Sequence, residues 1–265
     1  MNIELPKIEN YFDLKGKTAL ITGATGSLGS VTAQALAGAG AKLVLTGGNK
    51  DKLDDIVKSI NDAGGNAAGI NVRPDSESNV DKIVADTVTT TGALDILVVA
   101  SGFNSPGTTL ETPVSTWDAV MDANVRQTWL ICRAASKQMI QQDKGGKMIL
   151  ISSTRGRVAA DNCSAYCTSK AATNMLVQSF SAEWGSLGIN VNALAPTVFR
   201  SELTGWLFEE EGPGADIRNE VLKRIPLGRL GEPEDFIGAL IFLSSKASDY
   251  MTGHVMYMDG GFTAV

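Results

Sequence analysis

The sequence predicts one α/β domain: a doubly wound parallel sheet of seven strands with helices on both faces. Three observations predict it. Short apolar runs alternate with amphipathic stretches of helical period along nearly the whole chain, the pattern of a sheet buried on both sides. A glycine-rich turn, Thr22-Gly23-Ala24-Thr25-Gly26-Ser27-Leu28-Gly29, separates the first apolar run from the first helical stretch. Finally, 265 residues with 43% hydrophobic content can bury a sizeable core, and no internal repeat, low-complexity tract or long linker divides them.

Taken in order, residues 1–13 form an N-terminal extension with no assigned chemistry, and residues 14–265 form the domain. The predicted strands are Thr18–Ile21, Lys42–Leu45, Ala67–Asn71, Ile96–Ala100, Lys147–Ile151, Asn190–Leu194 and Val255–Met258, in the order 3-2-1-4-5-6-7. Each is short and mostly apolar, as a strand covered on both faces must be. Helices fill the intervals, among them Ser30–Ala39 and two long ones, Ser115–Gln141 and Ser164–Leu187.

The glycine turn carries the first chemistry. Its glycines allow a tight bend, let backbone amides approach a pyrophosphate and permit close helix packing, while the following helix start offers unpaired N–H groups to the anion. The residue that inspects the adenosine ribose should stand about 20 residues later, at the end of the second strand. There the chain has Thr46-Gly47-Gly48-Asn49-Lys50, with no acid for a ribose 2′-hydroxyl and no arginine to clamp a 2′-phosphate. The missing acid removes a repulsion against NADP, and Lys50 and Lys52 lie nearby, either as phosphate partners or as solvated side chains. NAD or NADP is expected, with the balance toward NADP(H).

The centre of the chain carries the second. Tyr166 and Lys170 stand four apart at the start of a helical stretch and so share one helix face. A free tyrosine with a pKa of about 10 is a poor base at neutral pH, but a neighbouring ammonium favours the phenolate. Lowering the pKa by about 3 units takes roughly 4 kcal/mol, and general acid/base work near pH 7 then becomes possible. Ser153 follows the apolar run Lys147–Ile151, which places its hydroxyl at the carboxyl end of a strand, where ligands bind in such sheets. There it can hydrogen-bond a substrate oxygen while Tyr166 gives or takes the proton.

Other features exclude function classes. A net charge of −6 and a pI of about 4.9 argue against a nucleic-acid surface, and no basic run suggests an anionic membrane patch. The first residues place acids where a secretory signal has basic residues, and no run is long enough to span a bilayer, so a cytoplasmic location is expected. Three cysteines without a secretory signal suggest reduced thiols. Cys163 and Cys167, beside Tyr166, are expected to be buried and inert. One histidine, His254, supports neither a Ser/His/Asp nucleophile nor a multi-histidine metal site, so no metal is expected.

With these residues in view, the chain from about Phe12 to Gly261 resembles the short-chain dehydrogenases/reductases. Besides the glycine turn and Tyr166-x-x-x-Lys170, the serine thirteen residues before the tyrosine matches. So does Asn124 in MetAspAlaAsnVal, at the place of the family's tetrad asparagine. The stretches Leu227–Asp235 and Met258–Gly261 are similar to the family's C-terminal segments. The resemblance implies a Rossmann fold and hydride transfer between a nicotinamide and a secondary alcohol or ketone. In that role Asn124 would hold a water linking Lys170 to solvent, Ser153 would polarise the reacting oxygen, Tyr166 would move its proton, and Lys170 would also bind the nicotinamide ribose. It implies cofactor contacts at Gly23, Thr25, Gly26, Ser27, Leu28 and Gly29; at Gly47, Asn71 and Val72; at Ala100, Ser101 and Gly102; and at Pro196 and Val198, besides Tyr166 and Lys170. A homotetramer, formed through the two long helices and the last strand, is implied as well.

The chain departs from the family pattern at three places. The turn is spaced Gly-x-x-Gly-x-x-Gly, with Ser27 at the usual middle glycine. Val99-Ala100-Ser101-Gly102 stands for Asn-Asn-Ala-Gly and loses two bracing amides, and Pro196-Thr197 stands for Pro-Gly. A loosely patterned stretch, residues 200–224, occupies the family's lid position; its Trp206, Leu207 and Phe208 either cover the substrate or pack on the core or a partner subunit. Arg155 and Arg157 either attract a substrate carboxylate or are surface arginines. The start PheAspLeuLysGlyLysThrAlaLeuIleThrGly and the stretch AlaProThrValPheArgSer resemble sugar-acid dehydrogenases of the gluconate type, so the expected substrate is a small sugar acid or polyol. An epimerase or dehydratase that retains its nicotinamide, and a non-enzymatic dinucleotide-binding protein, are the alternatives.

Overall fold

A computed structural model describes residues 5–200 and 204–265. Seven parallel strands pair in the order β3-β2-β1-β4-β5-β6-β7, the predicted order. They are β1 (Thr18–Thr22), β2 (Lys42–Thr46), β3 (Asn66–Ile70), β4 (Ile96–Val99), β5 (Gly146–Ile151), β6 (Ile189–Pro196) and β7 (Val255–Met258). Boundaries differ from expectation by one or two residues. β3 starts at Asn66 and stops before Asn71, β4 stops before Ala100, and β6 runs on to Pro196, paired with Met258. The helices are α1 (Glu9–Phe12), α2 (Ser27–Gly38), α3 (Lys50–Asp62), α4 (Glu77–Thr91), α5 (Val114–Met121), α6 (Gln127–Gln141), α7 (Ser164–Trp184), α8 (Pro213–Leu222) and α9 (Pro233–Ser244).

Successive strand residues point to opposite faces, and the core divides accordingly. Ala19, Ile21, Leu43, Leu45, Ile96 and Val98 pack with α2, α3 and α9 on one side. Leu20, Val44, Leu97, Val99, Met148 and Leu150 pack with α4, α6 and α7 on the other. Asn192, a buried polar residue in β6, donates to the Met251 carbonyl (2.8 Å) and accepts from the His254 amide (3.1 Å), which ties down the turn into β7.

Two long helices were expected; the first is interrupted and the second runs unbroken to its last turn. Ser115–Gln141 is not one regular helix: a π-helical segment, Asp122–Arg126, joins α5 to α6, and the Gln127 amide bonds back to the Asp122 carbonyl. Ser164–Leu187 ends as an α-helix at Trp184 and closes in a 3₁₀ turn, Gly185–Leu187, before the left-handed Gly188.

The order reverses at β1, whose neighbours are β2 and β4. In sheets of this kind the ligand crevice lies at such a reversal, beyond the carboxyl ends of the strands.

Candidate active site

The glycine turn stands at that crevice. Gly23 has φ +67°, and a Cβ on it would lie 2.5 Å from the Ser101 amide nitrogen; a Cβ on Gly29 would lie 2.1 Å from the Gly23 carbonyl oxygen. Only glycine allows the turn and the helix to approach this closely. No side chain caps α2, whereas Asn49 caps α3 and Ser76 caps α4. The first turn of α2 therefore keeps backbone N–H groups unspent toward the crevice, as a pyrophosphate requires. Ser27 and Leu28 lie in that turn, with Leu28 packed on the core. Gly29→Ala is expected to weaken nucleotide binding at least tenfold and to lower the melting temperature; calorimetric titration and thermal unfolding test this, and unchanged values for both would contradict the close packing described.

The other predicted cofactor contacts border the same crevice. Gly47 leaves room for Thr25, whose Cγ2 lies 2.6 Å from the position of an added Cβ. The Asn71 amide reaches the Gly47 carbonyl (3.4 Å), and the Thr46 hydroxyl donates to the Val72 carbonyl, linking the ends of β2 and β3. At the end of β4 the two bracing amides are absent, but the Ser101 and Thr22 hydroxyls pair at 3.1 Å and the Ala100 amide bonds the Thr22 carbonyl. The brace between β1 and β4 is thus rebuilt from hydroxyls. Pro196 ends β6 with its carbonyl 3.5 Å from Ser153 Oγ, and the Val198 carbonyl accepts from the Gly231 amide. The crevice fits a dinucleotide.

At its far end lie the four predicted catalytic residues. Asn124 sits in the π segment, buried. Its Oδ1 accepts from the Phe103 amide (2.7 Å), and its Nδ2 donates to the Phe103 carbonyl (2.8 Å) and to Ser169 Oγ (2.9 Å). A Cβ added to Gly102 would lie 3.2 Å from Asn124 Oδ1 and 3.6 Å from Lys170 Nζ, so this glycine lets both groups reach the crevice floor. Ser153 leaves β5 and accepts from the Arg155 amide (3.1 Å), which fixes its hydroxyl beneath the first turn of α7. Ser153 is close enough to the Tyr166 phenol to lower its pKa. Lys170 Nζ lies 5.6 Å from the Tyr166 ring centroid and donates to the Ile151 carbonyl (2.8 Å).

The electrostatics differ from expectation in one respect. Burial brings the Lys170 ammonium down to about 8. Burial likewise pushes the Tyr166 phenol above the usual tyrosine range, and the Ser153 hydrogen bond and the Arg155 charge pull it back only in part. The ammonium is spent on the Ile151 carbonyl, so the expected acidification by Lys170 does not prevail over desolvation.

Cys163 and Cys167 are half-buried rather than buried, and burial raises the Cys163 thiol. Leu207, expected in a lid, is buried, and Phe208 lies under the Arg200 guanidinium, 3.8 Å from ring centroid to Cζ. Residues 201–203 and the Trp206 side chain, also in that stretch, lie outside the described residues. Arg157 lies over the Tyr257 ring and its charge reaches Asp259. Arg155 and Arg224 both lie against Phe262, 5.5 and 4.4 Å from its centroid. Among the described residues no group of three or more His, Cys, Asp or Glu could hold a metal.

A family model of the short-chain dehydrogenase type, described as enoyl-(acyl carrier protein) reductase, matches residues 23–263. The chain belongs to the short-chain dehydrogenases/reductases. It is thus an NAD(P)-dependent oxidoreductase acting on CH–OH groups. An uncharacterised oxidoreductase of Mycobacterium tuberculosis is 51% identical over 255 residues, covering 96% of this chain and 93% of that one. The 2-dehydro-3-deoxy-D-gluconate 5-dehydrogenase of Formosa agariphila is 34% identical, covering 96% of each. The crystal structure of a gluconate 5-dehydrogenase from Burkholderia cenocepacia, in complex with NADP and tartrate, superposes with a TM-score of 0.91 at 31% identity, covering 97% of this chain and 99% of that one.

Two features of the dehydrogenase's site were not visible in sequence. The π segment that turns Asn124 inward has no residue signature. Arg73, from the loop after β3, brings its guanidinium against Gly48; no local pattern links positions so far apart.

Proposed function

We infer that this dehydrogenase interconverts a secondary alcohol and a ketone on a small sugar acid, using NAD(P)(H). The observation that carries the reading is Lys170 Nζ 5.6 Å from the Tyr166 ring, with Ser153 Oγ held by the Arg155 amide at the carboxyl end of the sheet, close enough to lower the Tyr166 pKa. In the oxidative direction Tyr166 Oη, as phenolate, takes the hydroxyl proton of the substrate, and the electron pair of the breaking O–H bond forms the carbonyl as hydride leaves the carbinol carbon. When bound, the nicotinamide supplies the hydride acceptor. Ser153 Oγ hydrogen-bonds the reacting oxygen and holds it beside Tyr166. Lys170 holds positive charge within the site, and Asn124, locked by Phe103 and Ser169, keeps the floor in place on the route between Lys170 and solvent.

Arg155 supports an anionic substrate. It lies two residues from Ser153, its charge is felt by Tyr166, and the structurally similar gluconate 5-dehydrogenase from Burkholderia cenocepacia was solved with tartrate, a hydroxy acid. A cytoplasmic homotetramer and a lid over residues 200–224 complete the proposal.

The test is a panel of sugar acids, hydroxy acids and neutral polyols, followed through absorbance of the reduced nicotinamide. Arg155→Ala is expected to raise KM for the acids about tenfold or more, with KM for neutral polyols unchanged and turnover of both classes falling alike as Tyr166 loses that charge. An equal rise in KM on both classes would remove the carboxylate contact, and turnover of no panel member would remove the substrate class.

A further inference from the structure

The end of β2 lacks an arginine, yet a guanidinium occupies the place where one would reach. A Cβ built on Gly48 would meet Arg73 Nη2 at 2.7 Å, Nε at 2.8 Å and Cζ at 3.0 Å. The Arg73 head group therefore fills the space into which a side chain at position 48 would project. Position 48 lies in the Thr46–Lys50 turn, about 20 residues after the glycine turn, where the adenosine ribose is inspected.

Three features hold Arg73 there. The Thr46 hydroxyl donates to the Val72 carbonyl, and the Asn71 amide reaches the Gly47 carbonyl at 3.4 Å, so the residues immediately before Arg73 are tied to the end of β2. Pro74, which follows, is buried and fixes its own φ. The absence of a side chain at Gly48 leaves the guanidinium its room. Among the described residues no carboxylate pairs with Arg73, whereas Lys50 is engaged by Asp54 one helical turn on. The planar, permanently charged fork of an arginine suits a phosphate.

We propose that Arg73 clamps the adenosine 2′-phosphate of NADP(H), entering from the β3 loop because glycine at position 48 vacates the place from which a β2 residue would act. The proposal rests on the dinucleotide reading of the crevice. It makes Gly48 and Arg73 a complementary pair: an acid at 48 would neutralise the guanidinium and offer an acceptor to a free 2′-hydroxyl instead.

Calorimetric titration with adenosine 2′,5′-bisphosphate and with adenosine 5′-monophosphate tests this without turnover. The wild-type enzyme is expected to bind the bisphosphate roughly ten- to a hundredfold more tightly, the size of a charge-assisted contact. Arg73→Met should erase that preference while leaving the monophosphate affinity unchanged, Arg73→Lys should keep part of it, and Gly48→Asp should reverse it. A preference that survives in Arg73→Met, or that is absent from the wild type, overturns the assignment. Failure of the wild type to bind either nucleotide would overturn the dinucleotide reading itself.

Discussion

Lys170→Met is expected to lose turnover by about a hundred- to ten-thousandfold, the range of an acid/base partner, and at the same time to unfold at a higher temperature near neutral pH. The two effects have one cause. Burial lowers the Lys170 pKa from 10.5 to about 8, a shift worth about 3 kcal/mol at 1.36 kcal/mol per unit. The folded state resists the ammonium more than the unfolded chain does. The penalty is present in full below about pH 8 and fades as pH rises toward about 10.5, where the unfolded chain releases the same proton. Thermal unfolding of both proteins from pH 6 to 10.5 should show the stability advantage of methionine shrinking across the upper half of that range. The surviving activity should have its optimum moved upward, because a positive charge 5.6 Å from the tyrosine ring has been lost. Undiminished turnover, or a stability difference that does not depend on pH, would contradict the role given to this side chain.

Tyr166→Phe should reduce turnover by about a thousandfold or more with nucleotide affinity intact, since only one oxygen is removed from a ring that remains packed. The parent enzyme should oxidise alcohols faster as pH rises. Burial holds the phenol up, so the phenolate fraction at neutral pH is small and grows through the alkaline range. A phenylalanine variant that turns over normally would show that the proton moves by another route.

The fold was legible because a sheet covered on both faces leaves apolar runs at each strand, and Val98 and Leu150 need no neighbours named to be placed. Three of the four predicted catalytic residues were legible for a different reason: Ser153, Tyr166 and Lys170 are close in the chain, so spacing alone brings them to one strand end and one helix face, whereas Asn124 was placed only by the family resemblance. What escaped depends on contacts between distant segments. Arg73 reaches Gly48 only because β3 pairs with β2, and the Thr22–Ser101 brace exists only because β4 pairs with β1. The balance of charge at Tyr166 escaped as well, since proximity to Lys170 is written in the sequence while the depth of burial of both groups is not.

The π segment at Asp122–Arg126 has a mechanical consequence for the helix that follows it. One residue more than a regular turn is wound in before α6 begins, and each residue of an α-helix advances the side chains by about 100°. The wider turn absorbs that residue, so deleting one there would restore regular winding and leave the stripe carrying Thr128, Ile131, Ala135 and Met139 facing the sheet, while Asn124 would lose its place. The irregular winding thus places Asn124 at the crevice while α6 docks as the continuation of a regular helix would, so site geometry at this point in the chain is separable from the packing of α6.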